Sequence, residues 1–249
     1  MKNTLFLIVL NTFFCYSVYS QGSQYEENPF KEARINYFKQ TILVFNEYLD
    51  TDNGSFNTTD IRLIMPIGDK SWNIRADLLL VSTNTAGLNK TGPGDFSFGA
   101  TYIPYINKKR GIAIRTRIIT NSANDPKLGS GKWIVVPALF YGQFIGSNRR
   151  FLWFSSLEHQ SSFAGSANRN TINTSIFENL VIHYFGKNWI GSDVAFRYNT
   201  TLNSFQNNAY LELGRKITPS NLAYIHPSVA FGGKKAYNYG LEAGILILF

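Results

Sequence analysis

From about position 40 onward the chain repeats one pattern: segments in which apolar and polar side chains alternate, separated by short polar turns. The alternation is plainest near the end, where Tyr237, Tyr239, Leu241, Ala243, Ile245, Ile247 and Phe249 fall on one face and Asn238, Gly240, Glu242 and Gly244 on the other. Ile112, Ile114, Thr116 and Ile118 alternate in the same way with Ala113, Arg115 and Arg117. So do Ile74, Ala76, Leu78 and Leu80 with Asn73, Arg75 and Asp77, and Ile190, Val194, Phe196 and Tyr198 with Asp193, Ala195, Arg197 and Asn199. A period of two places each set on opposite faces of a sheet. Twelve strands are predicted: Gln40–Asp50, Thr59–Gly68, Trp72–Thr83, Asp95–Ile106, Gly111–Asn121, Gly131–Gly146, Arg149–Phe163, Asn170–Phe185, Asn188–Thr201, Gln206–Ile217, Leu222–Gly233 and Ala236–Phe249.

Alternation alone fits either a soluble sandwich, which buries its apolar faces, or a membrane barrel, which turns them toward lipid. Three features favour the barrel. The strands are long enough to cross a bilayer at a tilt, their number is even, and the first twenty residues read as an export signal. In that signal Lys2 supplies the positive charge, Leu5–Leu10 with Phe13 and Phe14 the apolar stretch, and Val18-Tyr19-Ser20 the cleavage point. A terminal Ile245-Leu246-Ile247-Leu248-Phe249 in an alternating strand looks like the last-strand signal of such barrels, with Phe249 as the residue read by barrel-assembly machinery. The fold class expected is therefore all-β: a transmembrane antiparallel β-barrel of about twelve strands in the outer membrane of a Gram-negative bacterium, with that membrane's lipids around it.

The domain reading is 1–20 signal peptide, 21–38 periplasmic leader or small plug, and 39–249 barrel. Residues 21–38, with Tyr25, Glu26, Glu27, Asn28 and Pro29, lack strong alternation. Short links near Gly68–Ser71, Ile106–Gly111, Gly146–Asn148 and Gly186–Asn188 mostly alternate with longer gaps at Asn84–Gly94, Ser122–Ser130 and Ala164–Arg169, as periplasmic turns alternate with outside loops.

Composition sharpens this picture. Only 16% of the 249 residues are charged and 15% are aromatic, several of them at the ends of apolar runs where an interfacial belt would place them. Mean hydropathy is mildly polar, as alternating strands require. Cys15 is the single cysteine and lies inside the signal, so the cleaved chain has no thiolate chemistry. The net charge of +8 is dispersed, with no Lys/Arg stripe interleaved with stacking aromatics, so nucleic acid is not an expected partner.

Gly92-Pro93-Gly94-Asp95-Phe96 through Tyr102, Leu128-Gly129-Ser130-Gly131-Lys132-Trp133 with Pro137, Ser162-Phe163-Ala164-Gly165, and Phe185-Gly186-Lys187-Asn188-Trp189 carry a resemblance over roughly residues 59–249. They resemble a family of outer-membrane proteins named for the MetA pathway of phenol degradation and grouped as transporters. The resemblance implies a barrel related to channels for hydrophobic compounds, with aromatic or other small organic solutes as cargo; no enzymatic activity and no cofactor are expected.

The residues themselves offer three functional readings. Ten charges are expected to face the lumen: Arg62, Arg75, Asp77, Arg115, Arg117, Glu158, Asp193, Arg197, Glu212 and Glu242. They either form opposed walls whose transverse field selects solutes in a passive channel, or pair with one another and close a structural barrel. The third reading is a lipid hydrolase: His159 and Ser161 share a strand face, where imidazole could act as base to the hydroxyl, but Glu158 points to the opposite face and could not orient it. His183 and His226 are read as isolated lumen or interface residues, and no metal site is expected. Gly92-Pro93-Gly94-Asp95 and Gly129-Ser130-Gly131-Lys132 lack the spacing of phosphate loops and are read as turns entering strands.

Overall fold

In a computed structural model, residues 38–69 and 71–249 are described; the expected signal and nearly all of the expected leader lie outside them. Twelve barrel strands follow one another in chain order: β1 (Thr41–Thr51), β2 (Gly54–Ile67), β3 (Trp72–Thr83), β4 (Ser97–Ile106), β5 (Arg110–Ile119) and β6 (Lys132–Ile145). β7 (Phe151–Gly165), β8 (Asn173–Phe185), β9 (Asn188–Asn199), β10 (Asn207–Lys216), β11 (Asn221–Phe231) and β12 (Tyr239–Leu248) complete them. Each pairs antiparallel with its chain neighbours, and β12 returns to β1 in a continuous register from Thr41↔Leu248 to Leu49↔Gly240. Closure removes both sheet edges, so every strand has two partners for its backbone N–H and C=O groups. The result is a closed twelve-stranded antiparallel β-barrel of the outer-membrane type.

Boundaries differ from the sequence reading in one substantial place. The second strand starts at Gly54 rather than Thr59, because Asp52-Asn53 form a tight hairpin turn instead of a long gap. Gly54 takes φ +131°, open to glycine alone, and Thr51 Oγ1 donates to its carbonyl oxygen at 2.8 Å. Ser55, Asn57 and Thr58 are polar, with Phe56 the single apolar residue among them, which hides the strand from a search for alternation. Tyr237 lies in the loop before β12 rather than in the strand. Short extra strands, Lys90–Pro93 against β3 and Ser204–Phe205 against β9, stiffen two loops.

All connections at the end carrying Thr41 and Leu248 (the near end) are short, spanning 68–71, 107–109, 146–150, 186–187 and 217–220. Those at the far end are longer after the first: 84–96, 120–131, 166–172, 200–206 and 232–238.

The outer surface is what hydrocarbon requires. Ile61, Leu63, Leu78, Leu80, Ile114, Leu139, Leu157, Leu211, Leu213, Ile225 and Ile245 are all exposed. Aromatics gather at both rims of this band. Near the near end Trp72 stacks on Tyr102 with ring centroids 4.7 Å apart, and Phe151 on His183 at 4.3 Å. Near the far end Trp133 meets Phe163, Phe196 meets Phe231 and Tyr198 meets Phe205.

The lumen face is packed rather than open. At its near end Leu43, Ile103, Phe140, Phe144, Leu152, Ile182, Trp189, Leu222, Leu246 and Leu248 form one buried apolar cluster, joined by Phe38, the last residue of the expected leader. Trp189 fits here because residue 214, directly opposite on β10, is glycine; a β-carbon at that position would fall inside the indole ring. Gly214→Val should therefore expel the indole from its seat and destabilise the barrel by about 1–3 kcal/mol. Urea unfolding of the refolded protein in detergent, followed by tryptophan fluorescence, checks this; an unchanged midpoint would show that Trp189 is not held by that gap.

Candidate functional site: the charged layer of the lumen

All ten charges expected to face inward occupy lumen positions, and they lie in a middle layer above the apolar cluster. The layer has two halves of different chemistry.

On β2 to β5 the side chains form a basic wall tied by ion pairs. Asp77 is its hub: Arg62 Nε donates to it at 2.6 Å, Arg75 grips both of its oxygens at 2.8 and 2.9 Å, and Ser97 Oγ donates at 2.6 Å. Arg62 also reaches Asp60 at 2.8 Å. On β5, Arg115 Nη2 crosses β6 to Glu158 on β7 at 2.7 Å, with Arg117 4.0 Å from the same carboxylate. That crossing depends on Ala138, the β6 residue paired with both Arg115 and Glu158, whose small side chain leaves the path clear. Arg115 lies over the ring of Phe140, 4.7 Å from its centroid, a favourable cation–π contact in a dry setting. Gly99 stands in register between Arg75 and Arg117, and a β-carbon there would meet the β5 backbone.

On β8 to β12 and β1 the wall is acidic, and its described contacts come mainly from neutral donors. Tyr210 OH donates to Asp193 Oδ2 at 2.8 Å and lies 3.2 Å from Glu178 Oε1, while Ser156 Oγ donates to Glu178 Oε2 at 3.3 Å. Trp189 Nε1 donates to Glu212 Oε1 at 2.5 Å, and Tyr224 OH to Glu242 Oε1 at 2.5 Å. His226 stands between the last two, Nδ1 3.4 Å from Glu212 and Nε2 3.3 Å from Glu242. Glu47 faces Glu242 in register across the β1–β12 seam. Arg197, on β9 with Asp193, donates to Asn208 Oδ1 at 2.9 Å.

His226 was expected to be isolated because no acid lies two residues away on its own strand. Its partners come from β10 and β12 instead, since lateral neighbours in a sheet are set by register, which no single strand reveals. Asp60, Glu47, Glu178 and Tyr210 also belong to the layer and escaped the sequence reading. Their signal was present: Asp60 lies two residues before Arg62, Asp193 faces the same way as Glu178, and Glu47 two residues after Phe45, all in phase with inward positions.

His159 and Ser161 point outward, the opposite side from the lumen. His159 Nδ1 lies 3.1 Å from Ser175 Oγ, and Glu158 points inward at Arg115. His183 is outward as well, stacked on Phe151. Phe249 is exposed, its N–H donating to Gln40 O at 2.9 Å beside the seam.

The two glycine motifs meet at the far-end rim. Asp95 Oδ1 accepts from the backbone N–H groups of Ser122 and Ala123, and Oδ2 from the N–H and hydroxyl of Ser130, all within 2.6–3.1 Å. Gly129 is required because a β-carbon would strike the Asp95 carboxylate. Arg169 then donates to the carbonyls of Gly129 and Ser130, and Lys132 to that of Ser166, joining a third loop. On the same rim the Lys127 backbone N–H and the Lys90 ammonium hold the Asp125 carboxyl below the usual carboxylate range. These motifs are a latch among loops, not phosphate cradles. Among the described residues no group of His, Cys, Asp and Glu has the arrangement of a metal site.

No protein-family model and no curated protein matches the sequence. Solved structures match the fold. An outer-membrane channel from Pseudomonas putida F1 superposes with a TM-score of 0.70 at 11% identity, covering 85% of this chain and 96% of that one. The NanC porin gives 0.62 at 9% identity, over 83% and 98% of the two chains, and the KdgM porin 0.57 at 12%, over 84% and 99%. The chain thus has the fold of these outer-membrane barrels.

Two substitutions probe the site. Asp77→Asn leaves Arg62 and Arg75 without their shared anion inside the barrel and should destabilise it by about 3–5 kcal/mol; equilibrium urea unfolding measures it, and a loss under about 1 kcal/mol would mean the hub is solvated like a surface pair. Asp95→Ala should leave the barrel folded while loop 120–131 becomes the first site of limited proteolysis. Resistance equal to the parent's would show that the loops hold without the latch.

Proposed function

We propose that this protein is a passive channel for small polar solutes in the outer membrane of a Gram-negative bacterium, reached through the export signal at residues 1–20. The observation that carries this reading is a closed barrel, apolar outside, whose interior holds a ring of buried charge instead of the uniformly apolar filling that a purely structural plug would favour. The likeness in fold to an outer-membrane channel and two porins supports it. Membership of the family named for the MetA pathway of phenol degradation is part of the proposal, resting on the glycine motifs of the rim. A hydrophobic or aromatic cargo fits less well, since it would have to cross the charged layer while satisfying none of it.

The apolar cluster at the near end makes the resting channel narrow. Residues 21–38 are proposed to act as its plug, because Phe38 already sits in the cluster. The lipid-hydrolase reading is disfavoured by the outward, acid-free setting of His159 and Ser161.

Planar-bilayer recording tests the proposal. The refolded chain should give small discrete steps, deletion of residues 21–37 should enlarge them, and Arg115→Ala/Arg117→Ala should shift the reversal potential toward cations. A folded barrel that is silent with and without residues 21–37 would overturn the channel reading.

A further inference from the structure

The charged layer is largely sorted by sign around the wall. Arg62, Arg75, Arg115 and Arg117 stand on β2, β3 and β5 with Asp60 and Asp77 among them, whereas Glu178, Asp193, Glu212, Glu242 and Glu47 stand on β8 to β10, β12 and β1, with Arg197 and His226 among them. Between Arg115 and Arg117 on one side and Glu178 and Asp193 on the other, β6 contributes Val136 and Ala138 at inward positions, and β7 contributes Ser156 and Glu158, whose carboxylate already pairs with Arg115. Both sides hold buried polar atoms with no hydrogen-bond partner: Nε of Arg115 and Nε of Arg117, which are donors, and Oδ1 of Asp193, which is an acceptor. Asp193 is only 1% exposed and Arg115 8%, so bulk water is not the evident partner of either. The donors to Glu178 and Asp193 are hydroxyls, those of Tyr210 and Ser156.

We propose that this layer is a subsite for small zwitterions, with a carboxylate or sulfonate end toward Arg115 and Arg117 and an ammonium end toward Glu178 and Asp193. The inference rests on the channel reading and names its solute class. A singly charged ion is attracted by one wall and repelled by the other, and a neutral solute can hydrogen-bond to the unpaired donors and acceptor but brings no charge to either wall. A dipolar solute of the right sense satisfies both walls at once, and it replaces water without adding net charge to a low-dielectric space. The ring of Tyr210, stacked on His226 with centroids 4.5 Å apart, adds an electron-rich face on the ammonium side.

Liposome swelling with the refolded full chain tests this, using β-alanine as zwitterion and lactamide as a neutral solute of similar size. Reversal potentials in gradients of sodium lactate and of β-alaninamide hydrochloride report the singly charged analogues. β-Alanine should enter severalfold faster than lactamide. Glu178→Gln/Asp193→Asn should abolish that advantage while favouring lactate, and Arg117→Gln should abolish it while favouring β-alaninamide. Heat-modifiable electrophoretic mobility confirms folding, and if the acid-wall variant does not fold, Arg117→Gln decides the matter. Equal entry of β-alanine and lactamide through a conducting barrel, or an advantage that survives both variants, would overturn the subsite but not the channel. A barrel that conducts no ions and passes neither solute would overturn both.

Discussion

The constraint on which everything else depends is that no backbone N–H or C=O may be left unpaired within hydrocarbon. A sheet meets it only by closing, and here the β1–β12 ladder does so through nine consecutive paired residues, Thr41↔Leu248 to Leu49↔Gly240. Closure with twelve strands fixes the circumference, and the circumference leaves an interior too narrow to be a wide pore and too wide for backbone alone to fill. The sequence must therefore furnish the lumen with side chains. It does so in layers: large apolar groups at the near end, charges in the middle, and a hydrogen-bonded rim of loops beyond.

Much of this was legible in the chain because successive side chains of a strand point to opposite faces, a period of two set by the backbone itself. Ile112 to Ile118 against Ala113 to Arg117 already assigned one set to lipid and the other to the lumen, and the twelve-strand count followed from repetition. What could not be read was lateral. Nothing in the sequence around His226 announces Glu212 or Glu242, and nothing around Gly94-Asp95 announces Ser130, because each contact depends on how far neighbouring strands slide past each other. The early start of β2 was hidden for a different reason: Ser55, Asn57 and Thr58 leave Phe56 as a lone apolar residue with no alternation around it, and only pairing with β1 and β3 shows that they are strand.

Small residues are the means by which the lumen accommodates its large ones. Gly214 makes the seat of Trp189, Ala138 clears the line from Arg115 to Glu158, and Gly99 separates the stems of Arg75 and Arg117. In each case the small residue is the direct cross-strand neighbour of the group it serves. A barrel wall is rigid in register, so space inside it cannot be found by shifting a strand and has to be written residue by residue. This explains why positions that carry no chemistry of their own still bear on the chemistry of the charged layer.

The two halves of that layer solve the burial of charge differently, and the difference has a functional consequence. Removing an ion from water costs several kcal/mol, which an ion pair recovers only with good geometry and further hydrogen bonds. The basic wall meets that condition: Asp77 accepts from two guanidiniums and a hydroxyl, and Glu158 from Arg115 and Gln160. Its arginines are thereby held in place, yet two of their Nε–H groups remain unused. The pair of Glu178 and Asp193 is held by hydroxyls rather than by guanidiniums. A structure selected only for stability would gain by replacing that pair with leucines. Keeping two acidic side chains separated by β6 and β7 from spare guanidinium donors leaves an electrostatic gap that a passing dipole can fill and a lone ion cannot, and such a gap is a property of a conduit rather than of a plug.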